Sequence, residues 1–298
     1  MLKVNLIDVD LKFPNLALMK ISAYWKRQGA VVTLNGSRGD LNFVSCVFTK
    51  NKEKALKIAE SYCAEAGGTG IDLKSQLPHE VEHICPDYML YPKLNYSIGF
   101  TSRGCIRKCS FCIVPEKEGY IKEWSSLEEF VRHKKVILLD NNFLASTRWK
   151  FKLLEMIERN LIVDFNQGLD IRLIDEEKAA LIVKLNPPYL RFAWDDVKDE
   201  AAVRKGISIL KKEGFPIDRH RIGFYVLVGY NSTLEEDLHR ANTLHGMDIN
   251  THVQLYKGSQ KTAKILARWA NRPWYWMTSS FEEFEPIKNL RQYCELFE

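Results

Sequence analysis

The sequence predicts an α/β protein whose strands run parallel, and three observations carry that prediction. Strand-like and helix-like segments alternate along the chain, the order that places parallel strands beneath covering helices. The 298 residues suggest two domains at about 150 residues each, or one α/β barrel. With 46% hydrophobic and 27% charged residues the composition is that of a globular chain, which excludes collagen, coiled coil and wholesale disorder.

Residues 1–95 read as a small α/β layer domain. The segments 3–9, 30–34 and 41–48 are strand-like, 16–28 carries a helical period, and 52–66 reads as a helix ended by Gly67-Gly68. A less regular stretch leads to a linker at 92–95.

Residues 96–256 form the second predicted domain. Strands are expected at 96–101, 136–140, 161–165, 189–194, 221–228 and 249–255. Helical patterns follow at 125–133, 149–160, 175–185, 199–213, 233–245 and 261–270, with Ser125, Asp175 and Ser232 as expected N-caps. Six such right-handed units curve toward a partial (β/α)6 barrel, whose functional groups gather at the C-terminal strand ends. Residues 257–298 make a C-terminal helical extension.

No apolar run approaches the roughly 20 residues that cross a bilayer, so no membrane partner is expected. The opening Met1-Leu2-Lys3-Val4-Asn5-Leu6-Ile7-Asp8 is too short an apolar stretch for a signal peptide, which makes the cytoplasm the expected address. The net charge of +5 says little by itself about nucleic acid.

Cysteine usage is the anomaly. The seven residues are Cys46, Cys63, Cys85, Cys105, Cys109, Cys112 and Cys294, an odd number that argues for reduced thiols rather than a disulfide scaffold. Cys105, Cys109 and Cys112 fall together in the loop after the strand predicted at 96–101, spaced C-x3-C-x2-C. Three thiolates so spaced can each bind one iron of a four-iron, four-sulfur (4Fe-4S) cluster and leave the fourth iron open to a ligand. A structural zinc site wants four protein ligands, and no fourth Cys or His stands at zinc-finger spacing. Arg103, Arg107 and Lys108 are expected to favour the thiolate forms. A non-catalytic iron-sulfur or zinc-binding redox sensor or scaffold is the alternative reading of the same residues.

On these residues, with Phe111 in the aromatic position before the last cysteine, the segment resembles the radical S-adenosylmethionine (radical SAM) enzymes, whose signature is C-x3-C-x-aromatic-C. The resemblance spans residues 96 to about 255. It implies a cluster on Cys105, Cys109 and Cys112, SAM as ligand of the open iron, and an electron donor such as flavodoxin or ferredoxin. It also implies reductive cleavage of SAM to a 5′-deoxyadenosyl radical that modifies an unidentified substrate. Asp140, Asn142, Gln167, Asp170, Arg172, Asp195, Gly229 and Gln254 stand at or just beyond the predicted strand ends, and with Phe111 they are the candidate SAM contacts. Where the family often has Gly-Gly-Glu, this chain has Asp140-Asn141-Asn142. The run from Ser102 through Cys112-Ile113-Val114-Pro115 also resembles the methylthiotransferase branch, which implies methylthiotransferase-like or methyltransferase-like modification of RNA or protein as a second alternative.

The first 90 residues resemble the truncated flavodoxin-like domain of cobalamin-dependent radical SAM enzymes, most closely over Pro14-Asn15-Leu16-Ala17-Leu18-Met19-Lys20. Base-off cobalamin needs D-x-H-x-x-G after the first strand. Here the loop reads Asp8-Val9-Asp10-Leu11-Lys12-Phe13, and His79 and His83 come too late to substitute. A degenerate domain that binds no cobalamin is therefore expected. Cys46, Cys63, Cys85 and Cys294 are spaced irregularly and read as core residues rather than ligands of an auxiliary cluster.

Between residues 249 and 281 stand Lys257, Lys261, Lys264, Arg268 and Arg272, interleaved with Tyr256, Trp269, Trp274, Tyr275, Trp276 and Phe281. The expectation is a helix that packs Ile265, Leu266 and Trp269 and leaves its lysines in water. A surface for single-stranded nucleic acid is the alternative.

Overall fold

The computed structural model describes residues 1–271, 278 and 280–284. It is a mixed α/β structure with parallel sheets, and its contacts divide it into two compact units. Among the described residues no helix is long and apolar enough to cross a membrane.

The first unit comprises Met1–Lys108 and Cys112–Asp140, so the linker predicted at 92–95 lies inside it. It opens with β1 (Lys3–Asp8), α1 (Leu16–Arg27), β2 (Val31–Leu34), β3 (Leu41–Ser45), α2 (Lys52–Tyr62) and β4 (Glu65–Gly67). These strands form an all-parallel sheet in the order β2-β1-β3-β4, the doubly wound arrangement. Alternation along β1 explains the two layers. Val4 and Leu6 pack on Leu18 and Met19 of α1, while Ile7 joins Val44, Ala55 and Ala59 on the α2 side. Asn15 starts α1 by accepting the Leu18 N–H, and Lys26 and Arg27 oppose the helix dipole in its last turn.

The helix expected over 52–66 stops at Tyr62, where Cys63 takes a left-handed cap (φ 49°), and Glu65–Gly67 become a strand instead. Gly68, expected in the cap, has φ +101° for another reason: a side chain there would collide with the Cys46 carbonyl. The strand expected to reach residue 48 ends at Ser45.

The unit continues through α3 (His79–Glu82), β5 (Tyr96–Gly99), β6 (Ser102–Arg103), α4 (Val114–Lys117), β7 (Lys122–Glu123), α5 (Leu127–Phe130) and β8 (Lys135–Leu138). β5 and β8 pair in parallel, from Tyr96 opposite Lys135 to Gly99 opposite Leu138. The antiparallel β6–β7 ribbon has no sequence precursor in the strand pattern. The helix expected over 125–133 is one turn only. Ser125 bonds the Glu129 side chain rather than capping, and Ser126 holds the N-cap position.

The second unit holds Cys109–Phe111 and the chain from Asn141 onward. Its elements are α6 (Trp149–Glu158), β9 (Ile162–Phe165), α7 (Glu176–Leu185), β10 (Leu190–Ala193), α8 (Glu200–Lys212), β11 (Ile222–Val228), α9 (Leu234–Gly246), β12 (Asn250–Leu255) and α10 (Lys261–Ala270). β10, β11 and β12 form a parallel sheet in that order. One face, with Leu190, Phe192, Ile222, Phe224, Val226 and Val253, is buried. Asp175 caps α7 as expected, whereas α9 is capped by Thr233 rather than Ser232, in a capping box with Glu236. α10 buries Leu266 and Trp269 and leaves Lys261, Lys264 and Arg268 exposed. Arg272, Trp274, Tyr275, Trp276 and Cys294 lie outside the described residues.

Candidate functional site

The cysteine segment is a long excursion between β6 and β7, and the first unit shows how its base is held. Asp140, two residues beyond β8 and 3% exposed, accepts four hydrogen bonds: from the backbone N–H groups of Thr101 and Ser102, both at 2.7 Å, and from their hydroxyls, both at 2.6 Å. A carboxylate has about four acceptor sites, so this side chain is occupied by the loop entry. Its position at a strand end is as expected, but its bonds run to the chain itself.

The excursion closes where the Cys105 N–H donates to the Gly119 carbonyl at 3.2 Å. The chain turns at Gly104 with φ +85°, and a Cβ there would stand 2.8 Å from the Gly119 oxygen and closer still to Tyr120. Only glycine suits this position. Past the turn, the Arg107 N–H points at the Cys105 sulfur (3.3 Å) and the Val114 N–H at the Cys112 sulfur (3.5 Å). Backbone donors of this kind fix the orientation of a ligating sulfur.

Arg103 is paired with two carboxylates. Its guanidinium forks onto Glu118 at 2.8 and 2.9 Å, reaches Glu82 at 3.2 Å, and lies against the rings of Phe100 and Trp124. Glu82 also receives Lys20 and the Trp124 indole. This bidentate, ring-flanked ion pair fastens β6 to the returning chain. Sequence spacing gave no sign of it, because Glu82 and Glu118 lie far from Arg103 along the chain.

Within the second unit, Ser110 shares a 2.6 Å hydrogen bond with the Tyr230 hydroxyl, and Phe111 meets the Tyr230 ring edge-on at 5.4 Å. Tyr230 in turn packs on Tyr256. Phe111 therefore sits in an aromatic cluster with residues that follow β11 and β12.

The remaining candidates divide by environment. Asp170 caps the turn that follows β9, bonding the Arg172 N–H and Nε, and Arg172 also reaches Asp199 at 2.8 Å. Asn142 is buried and lies 3.5 Å from Asp170. Gln167 and Gln254 are exposed. Gly229 turns the chain after β11 with φ +74°, in contact with Ser259, and its N–H bonds Asp237.

Asp195 follows β10 and accepts the Leu227 N–H of β11 at 3.1 Å. Burial raises its carboxyl pKa above the ordinary value, with Asp199 adding to the rise and Arg240 and Arg172 opposing it. Beneath it lies a feature the sequence reading missed. Arg240 of α9 is fully buried and donates to the carbonyls of Trp194 (2.8 Å) and Leu227 (3.0 Å) and to Asp237. One guanidinium thus ties the ends of β10 and β11. The available signal was a cation and an acid three residues apart on the inward face of a helix.

Cys46, Cys63, Cys85, Cys105, Cys109 and Cys112 are not joined in disulfides. Cys46 is buried, as a core residue should be, but Cys63 is exposed. Among the described residues no three His, Cys, Asp or Glu side chains stand together as a ready-made metal site. The fit to a cluster lies in the donor set itself: three partly exposed thiols in one loop, two of them facing backbone N–H groups. Metal binding is what draws such ligands together.

The chain is similar to a solved radical enzyme. That structure is the cobalamin-dependent S-adenosylmethionine radical enzyme OxsB, at 12% identity and a TM-score of 0.42, over 86% of this chain and 49% of that one. The chain thus spans about half the length of the structure it matches, and similarity at this level establishes neither fold nor activity. No protein-family model and no curated protein matches the chain.

Proposed function

We propose that this protein is a radical SAM enzyme whose 4Fe-4S cluster is held by Cys105, Cys109 and Cys112. The observation that carries the reading is the C-x3-C-x2-C triad with Phe111 before its last cysteine, on an excursion that follows strand β5 and the short strand β6. A cluster of this kind, with SAM on its open iron, supplies reductive cleavage of the sulfonium to a 5′-deoxyadenosyl radical. An external reductant such as flavodoxin or ferredoxin delivers the electron.

The chain's own residues prepare the site. Asp140 and Gly104 fix the entry to the ligand loop, and backbone N–H groups stabilise two of the sulfurs. Asp195, Gly229 and Gln254, at or beyond the ends of β10 to β12, are the groups proposed to receive SAM, with Asp195 accepting from ribose hydroxyls. The strands β5, β8, β9, β10, β11 and β12 are read as the partial barrel. Residues 1–95 are read as a flavodoxin-like domain that binds no cobalamin. Its β1 loop lacks an imidazole, and Asp8 there is taken up by the Tyr91 hydroxyl and the N–H groups of Asp10 and Leu11.

Oxygen-free reconstitution with iron and sulfide tests the reading. It expects about four irons per chain, loss of the brown chromophore when all three cysteines are alanine, and 5′-deoxyadenosine from SAM plus dithionite. Full iron content in the triple variant would overturn the ligand assignment. Metal bound without SAM cleavage would instead favour the sensor or scaffold.

A further inference from the structure

The face of the β10–β12 sheet opposite its buried core carries a second constellation, two to six residues before the proposed SAM contacts. Register arranges it in rows. Arg191, Gly223 and Asn250 lie side by side, and Ala193, Tyr225 and His252 form the next row toward the C-terminal ends. All of these except Ala193, together with Phe224 and with Tyr189 just before β10, line a cavity of about 370 Å³. That volume suits a small organic ligand.

The cavity has a built floor. The Tyr189 hydroxyl lies over Gly223, in space that any Cβ at that position would fill. It accepts a hydrogen bond from the Asn250 amide at 2.9 Å, which fixes the Asn250 side chain and leaves its Oδ1 and second N–H for a ligand. Tyr225 and His252 stand edge to face at 5.5 Å, so the wall offers aromatic surface.

Charge narrows the ligand class. Arg191 is the cation among the lining residues and is paired with Asp164. Desolvation lowers the His252 pKa, so at neutral pH its imidazole carries no charge. A cavity with balanced charge, aromatic walls and an oriented carboxamide suits an uncharged planar heterocycle. Carboxamides pair with nucleobase edges through one donor and one acceptor, and aromatic rings stack on base faces.

We propose that this cavity binds a neutral nucleoside through its base, at a site separate from the cluster loop. This goes beyond the radical SAM reading and does not depend on it, since no lining residue belongs to that loop or to the proposed SAM contacts.

Calorimetric titration of the full-length protein with adenosine, guanosine, cytidine and uridine tests the proposal, with ribose 5-phosphate and N-acetylglycinamide as comparison probes. At least one nucleoside should bind at one site per chain, undisplaced by SAM, while neither comparison probe binds there. Asn250→Ala should weaken that binding by roughly 5- to 150-fold, the loss expected for one bidentate base contact. Tyr225→Ala should weaken it as well, and Tyr120→Ala, on an exposed tyrosine of the other unit, should not. Circular dichroism and melting curves identify any variant that fails to fold. Gly223→Ala, which drives Tyr189 from the floor, provides a second route to the same loss. Absence of nucleoside binding overturns the proposal, as does binding unchanged in folded Asn250→Ala or equal binding of N-acetylglycinamide. Loss of iron in the cysteine triple variant with nucleoside binding intact keeps the two readings distinguishable.

Discussion

The Asp140 carboxylate takes both hydrogen-bonding groups of Ser102, its backbone N–H at 2.7 Å and its hydroxyl at 2.6 Å. With the matching pair from Thr101, this makes Asp140, two residues beyond β8, the anchor of the strand-to-loop corner after β5. Asp140→Ala leaves buried donors without an acceptor, at about 1–3 kcal/mol for each orphaned group. We expect a fall of at least about 3 kcal/mol in unfolding free energy by denaturant titration, with a larger loss of iron loading than Asp140→Asn causes. An unchanged midpoint would show that the loop entry is held by other contacts.

Gly104 offers a narrower test of the same corner. Alanine there meets both a positive φ and the backbone of Gly119 and Tyr120. Either effect alone costs about 1 kcal/mol or more. Gly104→Ala should reduce iron incorporation severalfold, while Gly119→Ala, which has a positive φ but nothing near its Cβ, should cost less. Equal iron content in the two variants would separate loop geometry from cluster loading.

Much of this was legible in the sequence, for identifiable reasons. Period-two runs such as Val4, Leu6 and Phe224, Val226, Val228 located strands because burial on one face enforces alternation. The triad stood out because its residues fall within eight positions of one loop. Long-range partners left no such trace: Arg103 meets Glu82 and Arg240 meets the Trp194 carbonyl only after folding. The short β6–β7 ribbon was invisible because two-residue strands carry no period. The β4 strand was absorbed into the preceding helix because Cys63 ends that helix from a left-handed conformation more typical of glycine or asparagine.

Asp195 gives a prediction with a definite sign in pH. Burial raises its folded-state carboxyl pKa above the 3.8 of an ordinary aspartate. The unfolded chain therefore releases this proton at lower pH than the folded one, and between the two values the folded state holds more protons than the unfolded one. The residue thus costs stability that is fully felt above the folded pKa and vanishes below the unfolded one. Asn keeps an oxygen for the Leu227 N–H and carries no charge. Asp195→Asn should melt above the parent at pH 7 and level with it near pH 3.5. On the proposed function it should also weaken SAM binding, so stability and affinity move in opposite directions. A variant less stable at neutral pH would contradict the burial argument.

The Arg240–Asp237 pair supplies the last test, and it turns on what each partner leaves behind. Arg240 is fully buried, with two strand-end carbonyls and the Asp237 carboxylate around it, and Asp237 also accepts the Gly229 N–H. Arg240→Met preserves bulk but strands a buried carboxylate, for which a loss of about 3–5 kcal/mol is expected. Adding Asp237→Asn removes the stranded charge and still offers an oxygen to Gly229, while the carbonyls of Trp194 and Leu227 each lose the arginine as a donor. The double variant should therefore be more stable than Arg240→Met alone, by about half of the loss or more, a non-additivity that only directly coupled residues show. Denaturant midpoints of the parent, both single variants and the double variant complete the cycle. Additive losses would mean that the arginine acts through its carbonyl bonds, and that the acid three residues earlier serves the Gly229 turn independently.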